Sequence, residues 1–228
     1  MHNTIKFMQK DKSIILWLSS GFFLIFIMVI VGGITRLTDS GLSMVNWSLF
    51  MGSVPPLNAA EWNETFELYK QSPEFKKINF NYTLEDFKFI FFWEYLHRMI
   101  GRLLGLVFIF PFLYFLIKKR LTKKLKLQSL LLFTLGSLQA FFGWWMVKSG
   151  LVDNPHVSHY RLAVHLTTAF ITCGYLLWVL LPLLLPTSKN ENKSIFNKIK
   201  LLGFLSIIQI VYGAFIAGLK AGRIYNTW

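Results

Sequence analysis

The sequence predicts an all-α integral membrane protein, a four-helix transmembrane bundle followed by a fifth helix. Three observations predict it. Of 228 residues, 54% are hydrophobic and 17% aromatic while only 15% are charged, a composition too apolar for a soluble domain. The apolar residues come in long runs rather than at amphipathic spacing. Basic residues gather between those runs, at Lys118–Lys126 and Lys189–Lys200, as the positive-inside rule requires of cytoplasmic loops. The net charge of +13 therefore sets topology, and nucleic acid is excluded as a partner.

Residues 1–12 are polar, carry Lys6, Lys10 and Lys12, and are expected in the cytoplasm. The first span, Ser13–Ile34, is long enough to cross ~30 Å of hydrocarbon. Its apolar run exceeds that of a signal peptide, so it is retained. It ends at Gly32-Gly33, a pair that permits close helix contact. The outer loop 35–87 has a rigid corner at Pro55-Pro56. Within it, Asn58 followed by Glu61 predicts a short surface helix over Ala59–Lys70, with Trp62, Phe66 and Tyr69 on one side.

Thr83-x-x-Asp86 is a capping pattern that starts the second span, Leu84–Ile117. That span is longer than a bilayer needs, so its first turns project outward. The third span covers Leu127–Val147, the fourth Tyr160–Leu185 with Pro182 and Pro186 ending it, and the fifth Ile199–Ala217. Aligned without gaps, Gly32-Gly33 falls on Gly213-Ala214 and Ser40-Gly41 on Ala221-Gly222; Gln139-x-x-x-Gly143 likewise matches Gln209-x-x-x-Gly213. A repeat that restarts at the fifth span predicts two domains. Residues 1–186 form one four-helix half, and residues 187–228 are a linker and the first helix of an incomplete C-terminal half.

The stretch that chemistry singles out is Trp93–Gly105. Glu94, His97, Arg98 and Arg102 sit within nine residues of a helix otherwise built of Phe, Leu and Ile. Charges inside a bilayer cost roughly 2.5 to 3.5 kcal/mol each on insertion scales, so they persist mainly where function needs them. A second histidine, His165, lies near the start of the fourth span. At 1.5 Å per residue the two imidazoles sit roughly 12 and 8 Å deep from the same side. One turn deeper than each lies a small residue, Gly101 after His97 and Ala169 after His165, as a flat macrocycle between the helices would need. Arg161, one turn outward from His165, is placed to pair with propionates. The pattern predicts a bis-histidine haem site in the outer half of the bundle, with His97 and His165 as axial ligands of the iron.

Blander readings exist for each piece. A single membrane histidine is more often a helix-to-helix hydrogen bond than a ligand, Gly101-x-x-x-Gly105 is more often a packing contact, and Arg98 and Arg102 can snorkel or pair with Glu94. His156 and His159 lie at the interface, where solvation is the default. Zinc is disfavoured, since neither His-x-x-x-His nor cysteine ligands occur. Cys173, the one cysteine, reads as a buried inert thiol. Glu94 is an unnecessary cost to a protein that only carries electrons. It has work to do as a group that orients His97 or moves protons at the ring edge.

These residues carry a family resemblance. Gly32-Gly33-Ile34-Thr35-Arg36-Leu37-Thr38-Asp39-Ser40-Gly41-Leu42-Ser43, Glu94-x-x-His97-Arg98-x-x-Gly101-Arg102, Ser158-x-Tyr160-Arg161-Leu162-Ala163-x-His165 and Gly218-Leu219-x-Ala221-Gly222 together resemble the haem A synthases, in particular the mitochondrial and alphaproteobacterial branch. The resemblance implies an eight-helix protein of two pseudo-symmetric halves. It implies that the N-terminal half binds the substrate, haem O, through His97 and His165, and that a b-type haem sits in the C-terminal half. The implied reaction oxidises a ring methyl of haem O to a formyl group by successive hydroxylations, with Glu94 involved and electrons leaving through the second haem. The cysteine pair of another bacterial branch is unmatched in residues 35–87, and no second histidine pair occurs, so this stretch alone is expected to be inactive.

The leading reading is thus an oxidoreductase that matures haem O to haem A for a terminal oxidase. The alternative is a non-enzymatic bis-histidine membrane cytochrome or haem carrier; a transporter ranks last because the repeat is parallel rather than inverted. The expected setting is the bacterial inner membrane, N-terminus cytoplasmic and haem site toward the periplasm. Expected partners are haem O and the bilayer, with haem O synthase, terminal-oxidase assembly factors and a second copy of the chain as further candidates.

Overall fold

In the computed structural model the described residues are 11–45, 54–152, 155–185 and 193–224, and among them every regular element is helical. Five long helices are apolar and long enough to span a bilayer: α1 (Lys12–Leu37), α4 (Leu84–Ile117), α5 (Lys123–Lys148), α6 (His159–Leu184) and α7 (Lys193–Gly218). Two short helices, α2 (Ala59–Lys70) and α3 (Pro73–Lys77), lie in the connection between α1 and α4, and α8 (Ala221–Ile224) follows α7. The chain is an all-α multi-pass membrane protein, as its composition predicts.

The caps explain most helix starts. Asn58 accepts from the Glu61 N–H to open α2, and Thr83 and Asp86 form a reciprocal capping box at the head of α4. Ser72 caps α3 with Pro73 in its first turn, an element the sequence reading missed. Two expectations need correction. Pro182 lies inside α6 rather than ending it; it removes one hydrogen bond near the C-terminal end, and the helix stops only two residues later. The fifth span starts at Lys193 rather than Ile199, because lysine is a good helix former whose stem can lie along an apolar surface while its head reaches water. The N-terminal tail, Pro186 and most of the linker lie outside the described residues.

α1 packs on α4 and α6, and α5 packs on the same two, so α4 and α6 stand on the diagonal of a four-helix bundle. The fifth span, α7, lies against the outside of α6. At the end away from the α1–α4 connection the bundle closes around Trp17, Leu18, Phe115, Leu125, Leu176 and Leu180. Exposed apolar side chains such as Phe110, Leu127, Trp178 and Phe204 face outward, where lipid accepts them at no cost. At the head of α4 a second core joins Met44, Phe66, Tyr69, Phe87, Ile90 and Phe91, so that α2 and α3 form a cap there. Tyr69 and Phe66 stack on Phe87 with ring centroids 5.0 and 5.2 Å apart, the offset geometry that aromatic pairs favour.

Candidate functional site

The diagonal helices carry the two histidines. His97 projects from α4 onto α1, where a Cβ on Gly32 would lie 3.1 Å from its Nε2. His165 projects from α6 onto α5, where a Cβ on Gly143 would lie 3.1 Å from its Cε1. Each imidazole therefore rests on a glycine of a neighbouring helix, and any larger residue would have to push the ring aside. One turn before Gly143, Gln139 donates through Nε2 to the His165 carbonyl at 2.9 Å, fixing the α6 backbone at His165.

Gly101, expected to clear space one turn deeper than His97, is a different glycine from the two that back the imidazoles. Gly101 faces α1, where a Cβ would meet the Met28 methyl at 3.5 Å, a packing contact between α4 and α1. The residues the sequence reading missed are Gly32, Gly143 and Gln139. Their signal was the recurring Gln-x-x-x-Gly and the glycine pair, visible only as a repeat until the neighbouring helices were known.

Glu94 is buried, 4% exposed, and both its oxygens are engaged. Oε1 accepts from Arg98 Nη2 at 2.5 Å, one turn along the same face of α4. Oε2 accepts from the Ser43 hydroxyl at 2.7 Å and from the Met44 N–H at 2.9 Å. Six and seven residues after α1 ends at Leu37, the chain thus turns back over the bundle and grips an acid of α4. Leu42 of the same turn packs against Gly150, where a Cβ would lie 2.8 and 2.9 Å from its two methyls. Arg98 also reaches the Met44 carbonyl at 3.4 Å, which satisfies a buried charge pair by several directed bonds. Arg102 Nη1 lies 3.9 Å from Met99 Sδ.

Arg161 lies on α6 one turn outward from His165. Its Nη1 donates to the Trp145 carbonyl at 2.7 Å, and its guanidinium stacks 4.5 Å over the Trp145 ring. It ties the outer ends of α5 and α6 together beside the imidazole.

Above Glu94, the cap encloses a polar cluster. The Tyr69 hydroxyl donates to Glu74 Oε2 at 3.0 Å and accepts from Asn79 Nδ2 at 2.8 Å; all three residues are buried. Burial pushes the Glu74 carboxyl up to about 8, the nearby Glu94 and Asp39 adding to the shift while the Tyr69 hydrogen bond and Lys220 oppose it. Burial and the Glu74 charge raise Tyr69 as well. The mixed environment leaves Glu74 a neutral hydrogen-bonding carboxyl at pH 7.

The donor set fits a haem better than a bare metal ion. Among the described residues no three His, Cys, Asp or Glu side chains converge as a metal cluster would require. Two imidazoles from diagonal helices, each backed by glycine, are the donors a haem iron takes as an axial pair. His165 Nδ1 is buried without a hydrogen-bond partner, a cost of about 1–3 kcal/mol unless a further group engages the ring.

Comparison with known proteins decides the relationship. The family model described as COX15-CtaA, cytochrome oxidase assembly protein, matches residues 15–228. The chain belongs to the COX15-CtaA family. Curated relatives named "Heme A synthase" include those of Flavobacterium psychrophilum, 55% identical over 97% of this chain and 66% of the relative, and Flavobacterium johnsoniae, 51% identical over 96% and 65%. A third, from Nitrosospira multiformis, is 49% identical over 96% and 62%. The chain spans just under two thirds of the length of these COX15-CtaA relatives. No solved structure matches it significantly.

Proposed function

We propose that this chain carries the substrate-binding half of a haem A synthase, the oxidoreductase that converts a methyl group of haem O to a formyl group during terminal-oxidase biogenesis. The observation that carries the reading is the juxtaposition of two glycine-backed imidazoles on diagonal helices with a buried carboxylate three residues from one of them. Relatives named "Heme A synthase" at 49–55% identity support it.

On this reading His97 and His165 hold the substrate haem from its two faces. The bound haem supplies the redox-active iron and the ring methyl that is oxidised. Gly32 and Gly143 set how far each imidazole reaches into the bundle, and Gln139 locks the His165 backbone. Glu94 serves at the ring edge: oxidation of a methyl to an aldehyde releases protons, and a carboxylate steadied by Arg98, Ser43 and Met44 accepts them at a fixed place. Arg102 and Arg161 supply positive charge near the outer rim, where propionates would lie. Gly101 serves packing of α4 on α1.

Residues 1–186 then form the substrate half, and residues 187–228 lead into a second half that carries a b-type haem. The N-terminus faces the cytoplasm of a bacterial inner membrane and the cap faces the periplasm. Haem O synthase stands upstream, and terminal-oxidase assembly factors receive the product; homo-oligomers are compatible with the apolar outer faces.

The test is conversion of haem O to haem A by membranes containing the full-length protein, with extracted haems identified by mass. Hydroxylated and formyl products are expected. Haem bound through both histidines without any oxidised product would instead favour the cytochrome or carrier reading.

A further inference from the structure

A spacing of 181 residues relates the end of α1 to the end of α7. The Thr38 N–H donates to the Ile34 carbonyl at 2.9 Å, and at the same spacing the Leu219 N–H donates to the Phe215 carbonyl at 2.9 Å. Asp39 and Lys220, again corresponding positions, both take the left-handed backbone, φ 51° and 52°. Neither is glycine, so a strained local conformation is repeated at both sites. The sequence repeat is therefore also a repeat of helix-ending geometry.

The two copies meet at corresponding positions. Lys220 Nζ lies 3.0 Å from Asp39 Oδ1. The Arg36 guanidinium donates to the carbonyl of Ala217, its own counterpart, with Nε at 3.1 Å and Nη2 closer still. It also reaches the Gly218 carbonyl at 3.3 Å and Asp39 at 3.6 Å. Contact between a position and its own equivalent is the mark of a two-fold relation; a head-to-tail arrangement would pair unlike positions. From the other side Gly218 lets the α6 backbone come close, since a Cβ there would lie 2.6 Å from that of His159.

The same chain segment continues into the grip on Glu94. The Ser40 hydroxyl lies 2.5 Å from that of Thr38, and the Ser43 hydroxyl lies 3.2 Å from the Ser40 carbonyl as well as against the carboxylate. Asp39 thus ties down the start of a short turn whose end is Ser43 and Met44. We propose that Arg36, Asp39 and Lys220 form a latch on an approximate two-fold axis between the repeats, and that the latch positions Glu94 through the turn 38–44. The proposal rests on Glu94 acting in the reaction proposed above. Lys220 and Asp39 are 26% and 30% exposed, so their pairing adds little stability; its effect is on where the turn sits.

Three variants of the full-length protein in membranes test this. Lys220→Met removes the charge, Asp39→Asn removes the anion while tolerating the left-handed backbone, and Lys220→Arg keeps the cation. For Lys220→Met and Asp39→Asn we expect a roughly tenfold or greater loss of haem O turnover, the scale of a small misplacement at a reacting centre. Bound substrate haem, read from its visible absorption, and melting temperature stay near wild type, and Lys220→Arg restores turnover. Wild-type turnover in Lys220→Met and Asp39→Asn, or losses of turnover and bound haem in equal measure, overturns the latch. Exchange of the Met44 amide separates the two claims. An inert wild type whose Met44 amide still exchanges faster in Lys220→Met overturns the enzyme reading and keeps the latch; unchanged exchange overturns the latch.

Discussion

The Ser43 hydroxyl lies 2.7 Å from Oε2 of Glu94, so a loop residue outside the first span holds an acid fifty-one positions later in the chain. Met44 adds its N–H to the same oxygen and its side chain to the core of the cap. The carboxylate is thereby fixed by two elements that sequence separates.

Glu94→Gln keeps the shape and loses the charge. The amide oxygen can still accept from Ser43 and Met44, while Arg98 is left without its anion. Bound haem is expected to persist and oxidised products to fall below a hundredth of wild type, on the scale of removing a general base. Glu94→Ala goes further and destabilises the outer bundle by about 3–5 kcal/mol, since besides stranding the cation it leaves the Ser43 hydroxyl and the Met44 N–H without their acceptor. Haem extraction and thermal melts distinguish the two effects.

Gly32→Ala and Gly33→Ala make a matched pair one residue apart. A Cβ on Gly32 meets the His97 ring at 3.1 Å, whereas one on Gly33 meets nothing within 4 Å. Haem titration of the purified variants should show weakened binding for Gly32→Ala and wild-type binding for Gly33→Ala. Equal affinities in both would separate His97 from the ligand role.

The cap should answer to pH. Glu74 holds its proton up to about 8 in the fold against 4.5 in the open chain. Between those values the folded cap binds more protons than the unfolded one, so its stability falls as pH rises, by at most about 1.4 kcal/mol per pH unit, and levels off above about 8. Glu74→Gln should remove that slope. Amide exchange in α2 and α3 across the same pH range measures it, and an unaltered slope in the variant would locate the proton elsewhere.

Arg161→Lys tests a planar role. Lysine can donate one bond to the Trp145 carbonyl but cannot stack flat on its ring while doing so. The expected loss is about 1 kcal/mol of stability at the outer end of α5 and α6, with weaker retention of haem. Melting curves and haem content of the purified variant check both.

Much of this was legible in the sequence, for identifiable reasons. Thr83 and Asp86 announce the head of α4 because a capping box is local chemistry, and Leu84–Ile117 was placed to the residue. Gly32 and Gly143 could not be recognised as seats for imidazoles, because a glycine in a membrane helix signals close approach without saying of what. Only the diagonal placement of α4 and α6 supplies that. The partners of Glu94 were hidden for the same reason: Ser43 and Met44 look like turn residues until the turn folds back. Pro182 misled because near a helix end the bond it deletes is one the helix can forgo.

The pairing of Glu94 with Arg98 has a consequence for how the protein is made. They stand one turn apart on α4, so they neutralise each other as soon as that helix winds, before any other span is present. A translocon handing α4 to lipid meets a zwitterion rather than two ions. Biogenesis can proceed segment by segment, and the hydroxyl and amide donors arrive later to claim an acid already safely inserted.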